Sequence, residues 1–298
     1  MLSRLGLGTA QFGLDYGISN RAGRPAEGEV AAILVRAVQA GIGYLDTAPA
    51  YGDGESLIGR HLPSRHGLRI VTKLSPVADA TVEAKHGAAT LDTLARSLEY
   101  LRVDRVHGVL VHHVADLAKS GAEHIVDALM QARERGWTDR IGVSIYDAEQ
   151  LALAESRFQP QLVQLPLNAL DRRAIQSGLL ARLKAQGVEV HARSVFLQGA
   201  LLMNPDELPR FFAPVREHIA RLQQRWSETG LSTLAGCLAF ALQCPQIDAV
   251  IVGVNRLAEL DDIIAAADRS SGMCPDVPAA ASIDPIYLDA SRWPAFAR

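Results

Sequence analysis

A closed barrel of eight parallel strands, each followed by a helix, is the fold class that this sequence predicts. Three observations carry the prediction. Short apolar runs rich in β-branched residues alternate along the chain with longer stretches of helical periodicity. Glycines fall where the helical stretches should stop, at Gly41, Gly136 and Gly187. Polar side chains also gather at the carboxyl ends of the apolar runs, the end at which such a barrel carries its site. An open, doubly wound sheet is the structural alternative, and the count of eight strands favours closure.

The first strand is read over Arg4–Thr9, followed by a polar, glycine-bearing loop, Leu14–Pro25, that belongs to no repeat. Helical periodicity over Gly28–Ala40 leads to a short second strand, Tyr44–Asp46, and a third at Arg69–Lys73. The stretch Ala88–Leu101 reads as a helix, Gly108–His112 as the fourth strand, and Ala122–Arg135 as the next helix. Strands five and six are placed at Arg140–Ser144 and Leu162–Leu165, then a helix at Leu179–Ala185 and strand seven at Val188–Arg193. A long connection, Gln198–Phe212, separates it from the last strand, Ala249–Gly253. The tail 270–298 fits no repeat and carries Trp293; long loops and tails on a barrel line or cover its site, so the tail is expected near the substrate pocket. Neither linker nor internal repeat divides the chain, and residues 1–298 are read as one domain.

Composition narrows the class of partner. The formal net charge is −3 and lysines and arginines are scattered, which gives no electrostatic reason to expect nucleic acid or an anionic membrane. No apolar stretch approaches the roughly 20 residues of a membrane helix, and no signal peptide is read at the amino terminus. Cys237, Cys244 and Cys274 are odd in number and lack metal-like spacing, which fits a reducing, cytoplasmic setting. The mixed surface charge is compatible with a monomer or a small homo-oligomer.

The chemistry begins at Asp46-Thr47-Ala48-Pro49-Ala50-Tyr51-Gly52 and closes further on, with Lys73 and His112 ending the next two strands. A carbonyl becomes an alcohol when a hydride reaches its carbon and a proton reaches its oxygen. Tyrosine, with an ordinary pKa of about 10, is a reluctant acid at neutral pH, and a nearby ammonium stabilises the phenolate. The ammonium needs a carboxylate to hold it, and an imidazole N–H can orient the substrate oxygen. Tyr51, Lys73, Asp46 and His112 can fill those four places. Each alone has a plain structural reading: an N-cap for Asp46, a snorkelling Lys73, a packed ring for Tyr51. Together, in that order at successive strand ends, they point to catalysis. His112 and His113 are neighbours on a strand, so at most one faces the barrel mouth, and alternation leaves open which. Two diverging histidines without a third ligand motif give no metal site.

The stretch Ala40-Gly41-Ile42-Gly43-Tyr44-Leu45-Asp46-Thr47-Ala48, then Tyr51-Gly52 and Glu55-Ser56-Leu57-Ile58-Gly59, resembles the signature of the aldo-keto reductases. The resemblance covers nearly the whole chain. It implies NAD(P)H-dependent reduction of an aldehyde or ketone, a sugar or sugar derivative among the candidates, with His112 rather than His113 as the catalytic imidazole. It further implies that Ser144 and Gln164 hold the nicotinamide carboxamide and that Gln198, Gly199 and Leu201 form the loop over the diphosphate. Gly253, Asn255, Arg256 and Glu259 match the adenosine-phosphate segment. Dinucleotide binding rests on this resemblance, since Gly6-Leu7-Gly8 lacks the third glycine of a Rossmann fingerprint.

Three departures bear on the site. Ile145 follows Ser144 where relatives often have asparagine. Glu259 and Ile263 replace an arginine and an asparagine of many relatives, and Arg256 stands nearby to compensate, which leans the cofactor toward NADP(H) with NAD(H) as the alternative. Arg193 takes the place of a tyrosine stacked on the nicotinamide. Its guanidinium either stacks in the same way or faces the substrate and binds an anionic group. Two rival functions remain: a cofactor-binding regulatory or sensor subunit of the same fold, and a barrel isomerase or lyase that uses the phosphate loops for its substrate.

Overall fold

The computed structural model describes residues 1–270, 277 and 283–294. Eight parallel strands form the barrel: β1 (Leu5–Gly8), β2 (Tyr44–Asp46), β3 (Arg69–Lys73), β4 (Val106–Val111), β5 (Thr138–Ser144), β6 (Leu162–Pro166), β7 (Glu189–Arg193) and β8 (Ala249–Gly253). Each pairs with the next, and β1 pairs with β8 from Leu5↔Val250 to Gly8↔Gly253, which closes the ring. Helices alternate with the strands, as at Glu27–Gln39, Ala84–Leu101, Glu123–Glu134 and Leu257–Arg269. The predicted barrel is therefore the observed one, and no open edge remains.

Two kinds of residue make this arrangement possible. Strand side chains are branched and buried on both faces, as Val109, Ile141, Val143, Val163 and Val190 show, because the helices cover the outside and the inside is filled. Inside the ring, Tyr44, Ala249 and Ile251 form one cluster and Val71, Leu110 and Leu162 another. Gly41, Gly136 and Gly187 have φ of 73°, 74° and 73°, the left-handed conformation that ends a helix at little cost only in glycine.

Boundaries differ in informative places. β4 starts at Val106, two residues before the sequence reading, because Val106 pairs with Thr138 of a correspondingly longer β5. It ends at Val111, so His112 stands just past the strand. The helix read from Ala88 begins at Ala84: Glu83 and His86 cap it reciprocally, a signal that Gly87 in its first turn conceals.

The two long loops outside the repeat follow β1 and β7 and so lie at the carboxyl end. The Leu14–Pro25 loop is tied to the connection after β7 by Ile18 N–H donating to the Gln198 carbonyl at 3.1 Å. Gly199, at φ 93°, faces Ser19 so closely that a Cβ there would lie 1.9 Å from the hydroxyl. In the tail, Trp293 is fully buried with its ring 4.8 Å from Phe212 and 6.4 Å from Phe211, both in the connection after β7. Asp289 lies within electrostatic reach of Arg173 in the segment that follows β6. Residues 271–276, with Cys274, 278–282 and 295–298 fall outside the described residues.

Candidate active site

β2 and β3 bring an acid and an amine together at the carboxyl end of the barrel. Lys73 Nζ donates to Asp46 Oδ1 at 2.6 Å, to the Thr47 carbonyl at 2.9 Å and to Tyr51 Oη at 3.4 Å. Both charges are buried: Lys73 is 2 % exposed and Asp46 5 %. A buried pair needs its remaining valences filled, and Asp46 Oδ2 accepts from Gln164 Nε2 at 2.7 Å. Gln164, on β6, thus reaches the acid from across the barrel.

Tyr51 is placed by backbone contact as much as by its ring. Gly13 lies so close that a Cβ on it would fall 1.7 Å from the Tyr51 carbonyl oxygen, and Gly52 follows at φ 59° with Gly13 again its neighbour. Gly13→Ala is expected to displace the Tyr51 turn, lowering kcat at least about tenfold, with a stability loss of about 1–3 kcal/mol, the range for overpacking. Thermal unfolding beside steady-state kinetics checks this; unchanged values for both would show that the turn yields without moving the phenol.

His112 meets the Tyr51 ring edge-on, centroids 6.1 Å apart at 87°. His113 points elsewhere: its side chain is 61 % exposed and faces Asp116 Oδ1 at 3.4 Å. The two neighbours diverge, although the strand ends before them and His113 already caps the turn Val114–Ala118. Burial, assisted by the Lys73 charge, pushes the His112 pKa down to about 3, so the ring is neutral at physiological pH and keeps one N–H to donate.

One electrostatic expectation is reversed. Lys73 does favour the Tyr51 phenolate, yet the net shift of Tyr51 is upward, because burial outweighs it. The Nζ is shared with Asp46 and Thr47 at shorter distances, which leaves the phenol the weakest of its three contacts. Burial alone would lower Lys73, but Asp46 and Tyr51 raise it, so the amine stays charged.

From Asp46 and Tyr51 a cleft of about 440 Å³ runs past the end of β7 to the segment after β8. Gln164, Arg193, Gln198, Gly199, Gly253, Asn255, Arg256 and Glu259 line it. Ser144 does not line it; it is buried at the end of β5 in register with Gln164. Leu201 is fully buried in the core, and its neighbour Leu202 faces the cleft instead. Arg193 lies with its guanidinium 4.1 Å over the Tyr146 ring. Sequence reasoning did not single out Gln11, Tyr16, Ser19, Ser194 or Asp262, which also line the cleft. Tyr16, Ser19 and Ser194 are loop residues without periodicity, hinted at only as members of Leu14–Pro25 and of the loop after Arg193, and Gln11 and Asp262 sit on helices.

A barrel with a buried acid–amine pair and a phenol at its mouth defines a class, and the sequence comparisons agree with it. A profile described as the aldo/keto reductase family matches residues 4–271. An aldo-keto reductase of Mycolicibacterium vanbaalenii is 31% identical over 189 residues, covering 61% of this chain and 64% of that protein. L-galactose dehydrogenase of Arabidopsis thaliana is 23% identical over 98% of this chain and 93% of its own. Among solved structures, a thermostable aldo-keto reductase crystallised with the inhibitor epalrestat superposes with a TM-score of 0.66 at 25% identity, covering 89% of each chain. A Pseudomonas aeruginosa structure at 23% identity and TM-score 0.65, covering 90% of each chain, shares the fold.

The protein is of the NAD(P)H-dependent oxidoreductase class. The chain belongs to the aldo/keto reductase family. No helix among the described residues is long and apolar enough to cross a membrane.

Proposed function

We propose that this protein reduces an aldehyde or ketone to the alcohol, with Tyr51 as the proton donor. The observation that carries the reading is the buried chain Gln164–Asp46–Lys73–Tyr51, which ends on a phenol at the cleft. The carbonyl oxygen would accept from Tyr51 and from the neutral His112 ring, whose N–H orients it. Lys73 stabilises the phenolate left behind, and Asp46 with Gln164 holds Lys73 in place. Gln164 then acts first through the acid, beside the contact to a nicotinamide amide that the resemblance implies.

The cleft fits a nicotinamide dinucleotide. Gln198 Oε1 and Asn255 Oδ1, on two residues that line it, are buried acceptors without a protein partner. Donors on such a ligand would satisfy them. When bound, the dinucleotide supplies the hydride. Gln198, Gly199 and the segment Gly253–Glu259 would hold it.

The charges at the far end of the cleft weigh against the lean toward NADP(H). Glu259 Oε2 accepts from Asn255 N–H at 2.7 Å, and Glu29 Oε1 accepts from Leu257 N–H at 2.5 Å. The amino end of the helix Leu257–Arg269 is therefore already met by the protein's own carboxylates. Arg256 Nε lies 3.6 Å from Glu259 Oε1 and shares its charge there, and Asp262 adds a further carboxylate to the lining. A 2′-phosphate would have to compete with these acids, and we place NAD(H) ahead of NADP(H). Glu259→Gln should tighten NADPH by about tenfold relative to NADH, the scale of one charge-assisted hydrogen bond. Unchanged affinity ratios would remove Glu259 as a discriminator.

The test of the function is titration with NADH and NADPH by nicotinamide fluorescence, followed by a panel of aldehydes, ketones and sugars. Carbonyl-dependent oxidation of the bound nucleotide is expected. Saturable binding without turnover on any carbonyl would favour the sensor reading, and failure to bind either nucleotide would overturn both.

A further inference from the structure

Arg193 ends β7 with a charge that no carboxylate answers. Among the described residues, no Asp or Glu oxygen forms an ion pair with it, although it is only partly exposed. One side of its guanidinium is covered by the Tyr146 ring at 4.1 Å. One Nη donates to the Ile145 carbonyl at 3.1 Å and the other to Ser194 Oγ at 3.3 Å. A guanidinium has five N–H groups, so most of them lack a protein acceptor. None of its nitrogens is a buried orphan, and the side chain lines the cleft, so those donors open toward a ligand.

The group is held at the reacting end of the cleft. Its charge acts on both Tyr51 and His112. The other charges there cancel: Lys73 is answered by Asp46, and His112 is neutral at physiological pH. Tyr16 and Tyr146 beside it are phenols, the exposed His113 faces Asp116, and burial raises the Glu55 carboxyl behind Lys73, favouring its neutral form. Among the described cations facing the inner cleft, Arg193 is thus the one without a carboxylate partner. A guanidinium with a fixed plane and free parallel donors matches an oxyanion, and the stack on Tyr146 removes much of the rotamer freedom that binding would otherwise cost.

We propose that Arg193 binds an anionic group on the carbonyl substrate, so that the preferred substrates carry a carboxylate or a phosphate monoester close to the reducible carbon. The proposal rests on the reductase reading. It names a class of substrate that the barrel and the acid–base set do not specify.

The test compares matched aldehydes at saturating dinucleotide: 4-carboxybenzaldehyde against benzaldehyde for the carboxylate, and glyceraldehyde 3-phosphate against glyceraldehyde for the phosphate. Wild type should prefer the anionic member of at least one pair by about tenfold or more in kcat/KM, the scale of a charged hydrogen bond. That preference should fall as ionic strength rises. In Arg193→Gln the anionic-to-neutral ratio should approach one, whatever loss both substrates share, and Arg193→Lys should retain part of it. The pair that shows the preference identifies which oxyanion is recognised.

No charge preference in wild type, or a preference that survives in Arg193→Gln, would overturn the proposal. So would an equal loss on charged and neutral aldehydes that tracks weakened dinucleotide affinity, which would assign Arg193 to the dinucleotide. If the protein binds dinucleotide and reduces no aldehyde, the reductase reading fails by itself. Calorimetric binding of terephthalate against benzamide to the dinucleotide complex then still tests Arg193: terephthalate must bind tighter in wild type and lose that advantage in Arg193→Gln.

Discussion

Tyr51→Phe is expected to lower kcat at least about a hundredfold, the low end of acid–base contributions, while dinucleotide titrations still saturate. The hydroxyl is the terminal donor of the buried chain, and its removal leaves the ring, the His112 contact and the Asp46–Lys73 pair in place. Near-normal turnover in this variant would mean that the proton comes from another group. The same assignment predicts a pH dependence. Burial holds Tyr51 above its ordinary value, so the phenol keeps its proton through the neutral range and the basic limb of reduction should lie above the usual tyrosine range. His112 contributes no limb between pH 5 and 8, because its pKa is near 3. Its effect on stability has a definite sign. A histidine whose folded pKa is depressed from 6.5 to about 3 stabilises fully above the higher value, and that stability is lost as pH falls toward the lower one.

Lys73→Met is expected to cost both activity and stability. Without the ammonium, the Asp46 carboxylate is left buried with Gln164 as its one remaining side-chain donor among the described residues. Breaking one partner from a buried pair costs about 3–5 kcal/mol, so Tm should fall by several degrees and kcat by at least about a hundredfold. Any remaining pH limb should move upward, since the group that favours the phenolate has gone. The double variant Asp46→Asn/Lys73→Met separates the two effects. It removes the stranded charge and should recover much of the Tm without recovering turnover. A single variant with wild-type Tm would show that Asp46 finds water or another donor. Activity regained in the double variant would remove Lys73 from the chemistry.

Much of the fold was legible because a barrel repeats. Each strand is a short apolar run, each helix a longer periodic one, and the glycines that end three helices sit at left-handed φ, as their positions suggested. The order Asp46, Tyr51, Lys73, His112 could be read for the same reason: the carboxyl ends of parallel strands converge, so residues far apart in sequence share one mouth. Boundaries were less legible where one signal hid another, as Gly87 hid the reciprocal cap of Glu83 and His86.

What the sequence by itself determined is the eight-stranded architecture and the set of groups brought to its carboxyl end, because both follow from periodicity and from residue type at strand termini. Tertiary structure decided how those groups are partnered. It set Gln164 on Asp46, turned His112 toward Tyr51 and His113 away, and put the Tyr146 ring under Arg193. It also let burial override Lys73 in setting the Tyr51 proton, and it met the amino end of the last helix with Glu29 and Glu259. These outcomes depend on distances between strands and loops remote in sequence and on the water excluded between them. A linear pattern of residues carries neither quantity.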